Sequence, residues 1–139
     1  MKNVVVVDAD AIVAQTCVDD PNHIKAVEIA KKLSLREAKL VYPITAIVEA
    51  GAFIQRVLGN GRLSQAVMSS FFYPHVLVYE IERRDLERAV RNYFNSLGTK
   101  KNTVFDCIVA AVADRHDTKE IFSFDSFYRK RGFDLVTGV

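Results

Sequence analysis

The chain is short of cysteine, of histidine, of net charge and of long apolar runs, and each shortage excludes a class of protein. Its two cysteines, Cys17 and Cys107, stand apart in apolar surroundings, which leaves no basis for a disulfide framework or a zinc knuckle with paired C-x-x-C spacing. Both read as small core residues. The three histidines, His23, His75 and His116, are scattered and adjoin no nucleophile. The apolar run at residues 4–7 is too short for a signal-peptide core or a bilayer span, and no later run is long enough either, so a soluble cytoplasmic protein is expected. A formal net charge of +2 is too small to announce a polyanion binder, so any basic surface has to be local.

What is present is apolar mass and alternation. Half of the 139 residues are apolar, at a length where one core serves one domain, and a single domain over residues 1–139 is expected. Residues 3–7 are a β-branched run closing at Asp8, as in a strand buried on both faces of a parallel sheet. Asp20-Pro21 has the form of a cap followed by proline at the first helical position, which predicts a helix over residues 21–34. Strands are predicted at 39–42, 76–79 and 120–124, with an edge strand at 133–137. Helices are predicted at 45–58, 62–72, 84–97 and 104–115, ended by signals such as Gly59, Pro74 and Gly98. The alternation gives an α/β fold: a mostly parallel central sheet of four to five strands flanked by helices in three α/β/α layers. Ligands of such sheets bind beyond the carboxyl ends of the strands, where the strand order reverses.

Four acids stand where a stability-driven sequence would more easily place apolar residues. Asp8 closes the first predicted strand and Asp125 follows the fourth, so both emerge at one sheet edge. Glu49 shares a helical stripe with Ala46, Phe53 and Val57, and Asp106 is the only charge between residues 103 and 113. Gathering buried anions is unfavourable through desolvation and repulsion, and a hard divalent cation, Mg²⁺ or Mn²⁺, resolves the conflict. Such an ion also activates water for attack on phosphorus. Each acid has a plainer role open to it as well. Asp8 can cap the following helix, Asp106 fits a capping box with Thr103, Asp125 can start an Asx turn, and Glu49 can pair with Arg56.

In order along the chain, these acids lie in segments that resemble the motifs of the PIN-domain family. Val6-Val7-Asp8-Ala9-Asp10-Ala11-Ile12-Val13 resembles the first motif, with Asp10 at a position where the family often has Ser, Thr or Asn. Residues 44–50 resemble the second, which supplies Glu49, and residues 104–113 the third, which supplies Asp106. Residues 121–127 resemble the fourth, with the hydroxyl residue Ser123 two positions before Asp125; Phe127 follows the aspartate by two residues where the family more often has three. The resemblance implies a Mg²⁺- or Mn²⁺-dependent endoribonuclease with Asp8, Glu49, Asp106 and Asp125 as catalytic and metal-binding residues, and Asp10 and Ser123 beside them. Small single-domain members are commonly ribonuclease toxins of toxin–antitoxin pairs, and this chain resembles that VapC-like type. A cognate antitoxin and a homodimer are thereby implied.

Basic residues suited to an RNA strand are Lys100 and Lys101 before the Asp106 helix, and Arg129, Lys130 and Arg131 after Asp125. The row Arg84, Arg88 and Arg91 is interleaved with acids and reads more readily as a solvated helix face. Phe71-Phe72-Tyr73 suits either a dimer seam or the core. Two other functions remain open. In a phosphatase of the haloacid-dehalogenase type, Asp8 would be the nucleophile and Asp10 the acid/base, with Asp114 and Asp117 as the downstream acids. A non-catalytic scaffold that binds RNA or protein is the other.

Overall fold

The computed structural model of the chain describes residues 3–98 and 102–138, and among them five strands form one sheet: β1 (Val4–Val7), β2 (Lys39–Pro43), β3 (Leu77–Tyr79), β4 (Glu120–Phe122) and β5 (Asp134–Leu135). All pairs are parallel, in the order β3-β2-β1-β4-β5, with Val6 opposite both Val41 and Ile121. The chain winds outward through β1, β2 and β3, then returns to add β4 on the other side of β1. The strand order therefore reverses between β1 and β4, and a crevice opens there at the carboxyl edge.

The alternation of β1 sorts the two cores. Val5 and Val7 point to the face covered by α1 (Ala9–Thr16), α2 (His23–Leu35), α3 (Ile44–Arg56) and α4 (Gly61–Ser69), whereas Val6 points to the face covered by α5 (Arg83–Arg88) and α6 (Val104–Arg115). With both faces covered, the strand is apolar throughout and its central valines are fully buried. Helix α6 is buried continuously from Asp106 to Ala113, which explains why its sequence has no wet side.

Most predicted elements are present, with shifted ends. Helix α1 is marked in the sequence only through Asp8 as a cap for a following helix. It forms as the immediate continuation of β1, with Asp8 as N-cap. Proline does not start α2: Asn22 is the cap, and Asp20 instead accepts from the Asn22 amide at 2.8 Å in the preceding turn. The helix expected over 84–97 stops short. After α5 the chain widens into a π-turn at Ala89–Tyr93, closed by the Phe94 amide on the Ala89 carbonyl, and this registers both Arg88 and the Tyr93 hydroxyl on Asp114. Of the aromatic triplet, Phe71 packs edge-on against Tyr42, while Phe72 and Tyr73 are exposed. No helix among the described residues is long and apolar enough to cross a membrane.

Helices α3 and α4 meet at Gly51. The Ser64 hydroxyl donates to the Gly51 carbonyl at 2.7 Å, and a Cβ at this position would run into Met68, meeting its Sδ first and standing 2.8 Å from its Cγ. Alanine gains about 0.5–1 kcal/mol of helix propensity, and methionine is flexible enough to yield, so Gly51→Ala is expected to be near neutral. Gly51→Val adds branches that cannot be absorbed and is expected to destabilise by about 1–3 kcal/mol in urea unfolding. Equal stability of the two variants would show that the helix contact is looser than described.

Candidate active site

The carboxyl edge at the β1/β4 reversal carries the acids, and in each aspartate one oxygen serves the backbone while the other is turned toward the site. Asp8 Oδ1 caps α1 by accepting from the Ala9 amide at 2.7 Å; its Oδ2 accepts from the Tyr128 hydroxyl at 2.7 Å and lies 3.2 Å from Ser123 Oγ. Asp106 Oδ2 closes the capping box with the Thr103 amide at 3.0 Å, leaving Oδ1 facing the Tyr128 hydroxyl at 3.5 Å. Asp125 Oδ1 makes the Asx turn with the Phe127 amide at 2.9 Å, while Oδ2 accepts from the Asn102 side-chain amide at 3.1 Å. Asp10 Oδ2 accepts from the Phe124 amide at 2.8 Å and from Ser123 Oγ at 3.0 Å, and Asp10 Oδ1 is buried with no partner. The capping roles and the gathering of the acids are thus not alternatives.

Glu49 approaches from α3. It is partly buried, makes no ion pair with Arg56, and lines a cavity of about 210 Å³ with Asp10, Asp20, Asn22 and Phe53. Three further residues complete the arrangement. Ser123, fully buried, reaches Asp8 and Asp10 and accepts from the Asp125 amide at 3.1 Å. Tyr128, also fully buried, places one hydroxyl between Asp8 and Asp106. Asn102 spans Asp125 and Asp106, at 3.1 and 3.4 Å. Sequence reasoning missed Tyr128 and Asn102. The signal for Tyr128 was its place three residues after Asp125; Phe127, two residues after, instead packs edge-on against Tyr128.

The electrostatics separate this cluster from the other acids of the fold. Asp85, just as buried as Asp8, has Arg115 at 3.5 Å, and Asp114 has Arg88 at 2.7 Å. Among the described residues, none of Asp8, Asp10, Glu49, Asp106 and Asp125 has a lysine or arginine within ion-pair distance. Burial pushes Asp8 well above the usual carboxylate range, and Asp10, Asp106 and Glu49 push it further; the Tyr128 hydrogen bond opposes them. Burial lifts Asp10 to about 6 against the Phe124 and Ser123 hydrogen bonds, and lifts Glu49 to about 7 with help from Asp106 and Asp10. Asp106 is raised by burial as well, despite its Thr103 and Asn102 donors. The donor set is entirely oxygen, which suits Mg²⁺ or Mn²⁺ rather than zinc. Among the described residues, no group of three or more acid, cysteine or histidine side chains stands close enough together to hold a metal ion. A Mg²⁺ ion that keeps several waters needs only one or two carboxylates as direct ligands.

The profile of the PIN domain family matches residues 5–133. The chain belongs to the PIN domain family. Its fold is similar to that of VapC20 of Mycobacterium tuberculosis, a sarcin-ricin loop cleaving toxin, with 18% identity, a TM-score of 0.76, and coverage of 97% of this chain and 98% of that one. No curated protein matches the sequence.

In this PIN domain the phosphatase arrangement is not assembled. Asp114 is held by Arg88 and Tyr93 eight residues beyond Asp106, about 12 Å along the axis of α6. In the arginine row, Arg84 pairs with Glu82 and Arg88 with Asp114, and Arg91 has no ion pair among the described residues. The three basic residues after Asp125 are not equivalent. Lys130 and Arg131 line a cavity with Asn102, whereas Arg129 stands exposed outside it. Lys100 and Lys101 lie outside the described residues.

Raised carboxyl pKa values make a testable statement about stability. The folded chain holds protons on Glu49 up to about pH 7 and on Asp10 up to about pH 6, whereas the unfolded chain releases them near pH 4. Between those limits the native state binds more protons, so its stability falls as pH rises. In chelator, Glu49→Gln is expected to match wild type at pH 4.5 or below and to exceed it at pH 8 by on the order of 1–3 kcal/mol, after allowance for solvent screening. A variant that loses stability relative to wild type as pH rises would show that Glu49 has a cationic partner instead.

Proposed function

We propose that this PIN domain is a metal-dependent endoribonuclease, the toxin of a toxin–antitoxin pair, hydrolysing RNA phosphodiester bonds at the β1/β4 edge. The observation that carries this is the set of buried and partly buried carboxylates that has no cationic partner among the described residues, placed where an α/β sheet takes its ligand. Toxin activity is proposed from membership of the PIN family together with the fold shared with an RNA-cleaving relative.

Asp8, Asp106, Asp125 and Glu49 would surround Mg²⁺ or Mn²⁺, one or two of them directly and the others through its waters, with Asp10, whose unsatisfied buried oxygen also fits a cation, at the margin. When bound, such an ion supplies activated water and charge neutralisation for attack on phosphorus. The chain's own contribution is to hold the acids in place. Tyr128 and Ser123 fix the Asp8 carboxylate, the Thr103 amide fixes Asp106, and Asn102 ties Asp106 to Asp125, so little reorganisation is left for the reaction. An antitoxin and a second copy of the chain are the proposed protein partners; the exposed side chains of Phe72 and Tyr73 offer apolar area for contact.

Asparagine at position 106 keeps an oxygen for the capping box while removing the negative charge, so Asp106→Asn separates chemistry from folding. Incubated with a pool of end-labelled structured RNAs and Mg²⁺ or Mn²⁺, wild type is expected to cut. Asp106→Asn and Asp8→Asn are expected to lose about 100-fold or more at unchanged far-UV circular dichroism. Cutting should stop in chelator and decline below about pH 6, as Asp10 and Glu49 hold their protons. Cleavage that survives chelator, or that the folded variants share, would contradict the proposal and favour a binding scaffold.

A further inference from the structure

On the Asp125 side of the site lies a cavity of about 230 Å³ lined by Asn95, Asn102, Cys107, Phe127, Lys130 and Arg131, among others. Its wall is shared with the acids, because the Asn102 amide that lines it also donates to Asp125 and Asp106. Its cation is set in place. The Arg131 guanidinium lies over the Phe127 ring, 3.7 Å from the centroid, and its Nη1 donates to the Phe127 carbonyl at 3.0 Å. Phe127 is in turn fixed by the Asx turn of Asp125 and by its edge contact with Tyr128, so the position of the fork is tied to the position of the acids.

Among the described residues Arg36, Arg84, Arg88 and Arg115 pair with carboxylates, whereas Arg131, like Arg56, Arg62, Arg83, Arg91 and Arg129, pairs with none; what sets Arg131 apart is that Phe127 holds it in the wall of the cavity. A guanidinium has five N–H donors, and the contact with the Phe127 carbonyl uses one. A partly buried, pre-oriented fork without a counter-anion is suited to bidentate recognition of a phosphate. The cavity is smaller than those that enclose whole drug-sized ligands, and its volume suits a phosphate with a few waters.

We propose that this cavity is a phosphate subsite, in which Arg131 and Lys130 seat the RNA backbone phosphate next to the scissile one and so set the register of the strand over the acids. The proposal rests on the nuclease function above and deepens it. Arg131 is a binding and positioning residue here, and Arg129, two residues earlier on the same turn but outside the cavity, provides the matched loss of charge.

The test uses the whole chain in two assays. Binding of a short fluorescent single-stranded RNA is measured by anisotropy in chelator over a salt series, and cleavage is followed at steady state with Mg²⁺ or Mn²⁺. Arg131→Gln is expected to weaken binding and raise KM about 10-fold, with kcat held within about threefold, and to reduce the salt slope by about one. Arg131→Lys should recover part of the loss, since it restores the charge without the fork. Arg129→Gln should change KM less than twofold. If Arg131→Gln fails to fold, Lys130→Gln reads the same cavity, with an expected several-fold rise in KM. Equal effects at positions 129 and 131, or loss confined to kcat, would overturn the subsite while leaving the nuclease intact. RNA binding that depends on Arg131 in a chain that never cuts would instead overturn the nuclease and keep the subsite.

Discussion

Two buried carboxylates, Asp8 and Asp106, face one hydroxyl. The Tyr128 O–H has a single proton, given to Asp8 at 2.7 Å, with the nearest Asp106 oxygen at 3.5 Å. One donor cannot neutralise two anions, and the burial of Asp8 and Tyr128 leaves water little access to the Asp8 side, while Asp106 keeps a small exposed edge. Either protons or a cation must make up the deficit. In the chain alone the deficit falls to protons, which is why burial and mutual repulsion hold Asp8, Asp10, Glu49 and Asp106 above their ordinary pKa values. The fold tolerates this because each aspartate gives one oxygen to a structural task, so the same side chains that carry the excess charge also start α1, start α6 and shape the turn after β4.

This double use bears on how much of the site was legible in the sequence. The acids could be found because they interrupt apolar stretches: a β-branched strand closing at Asp8, an alanine-rich helix containing Asp106 and an apolar stripe containing Glu49. Capping signals at Asp8, Asp106 and Asx-turn chemistry at Asp125 were equally visible, and the structure realises both sets. Of the groups that serve the acids, Ser123 was legible with its motif, whereas Tyr128 carried only the signal of its place three residues after Asp125. The fold alone brings its hydroxyl to Asp8, 120 residues away in sequence. Asn102 follows Lys100 and Lys101 in the sequence and gives no local sign that its amide will join Asp106 to Asp125.

The fold shows the same division. Strands whose residues are buried on both faces announce themselves by composition, and parallel pairing calls for right-handed crossovers, but the order β3-β2-β1-β4-β5 is set by tertiary packing. Helix ends decided by tertiary contacts do not. The segment expected as helix 84–97 becomes α5 and then a π-turn at Ala89–Tyr93, and the polar contacts of Arg88 and Tyr93 with Asp114 on α6 are not encoded by periodicity. Helix α1 was understated because it begins directly at the end of β1 with no intervening loop, so the strand run and the helix start share Asp8.

The central claim is that these carboxylates are completed by a divalent cation that displaces protons. Calorimetric titration of the chain with Mn²⁺ at pH 6.5, repeated in buffers of different ionisation enthalpy, measures the ion and the protons together. Saturable binding with release of about one or more protons per ion, weakened in Asp8→Asn, is the predicted result. Binding without proton release, or no binding at millimolar Mn²⁺, would contradict the account and leave the buried acids as a protonated, purely structural network.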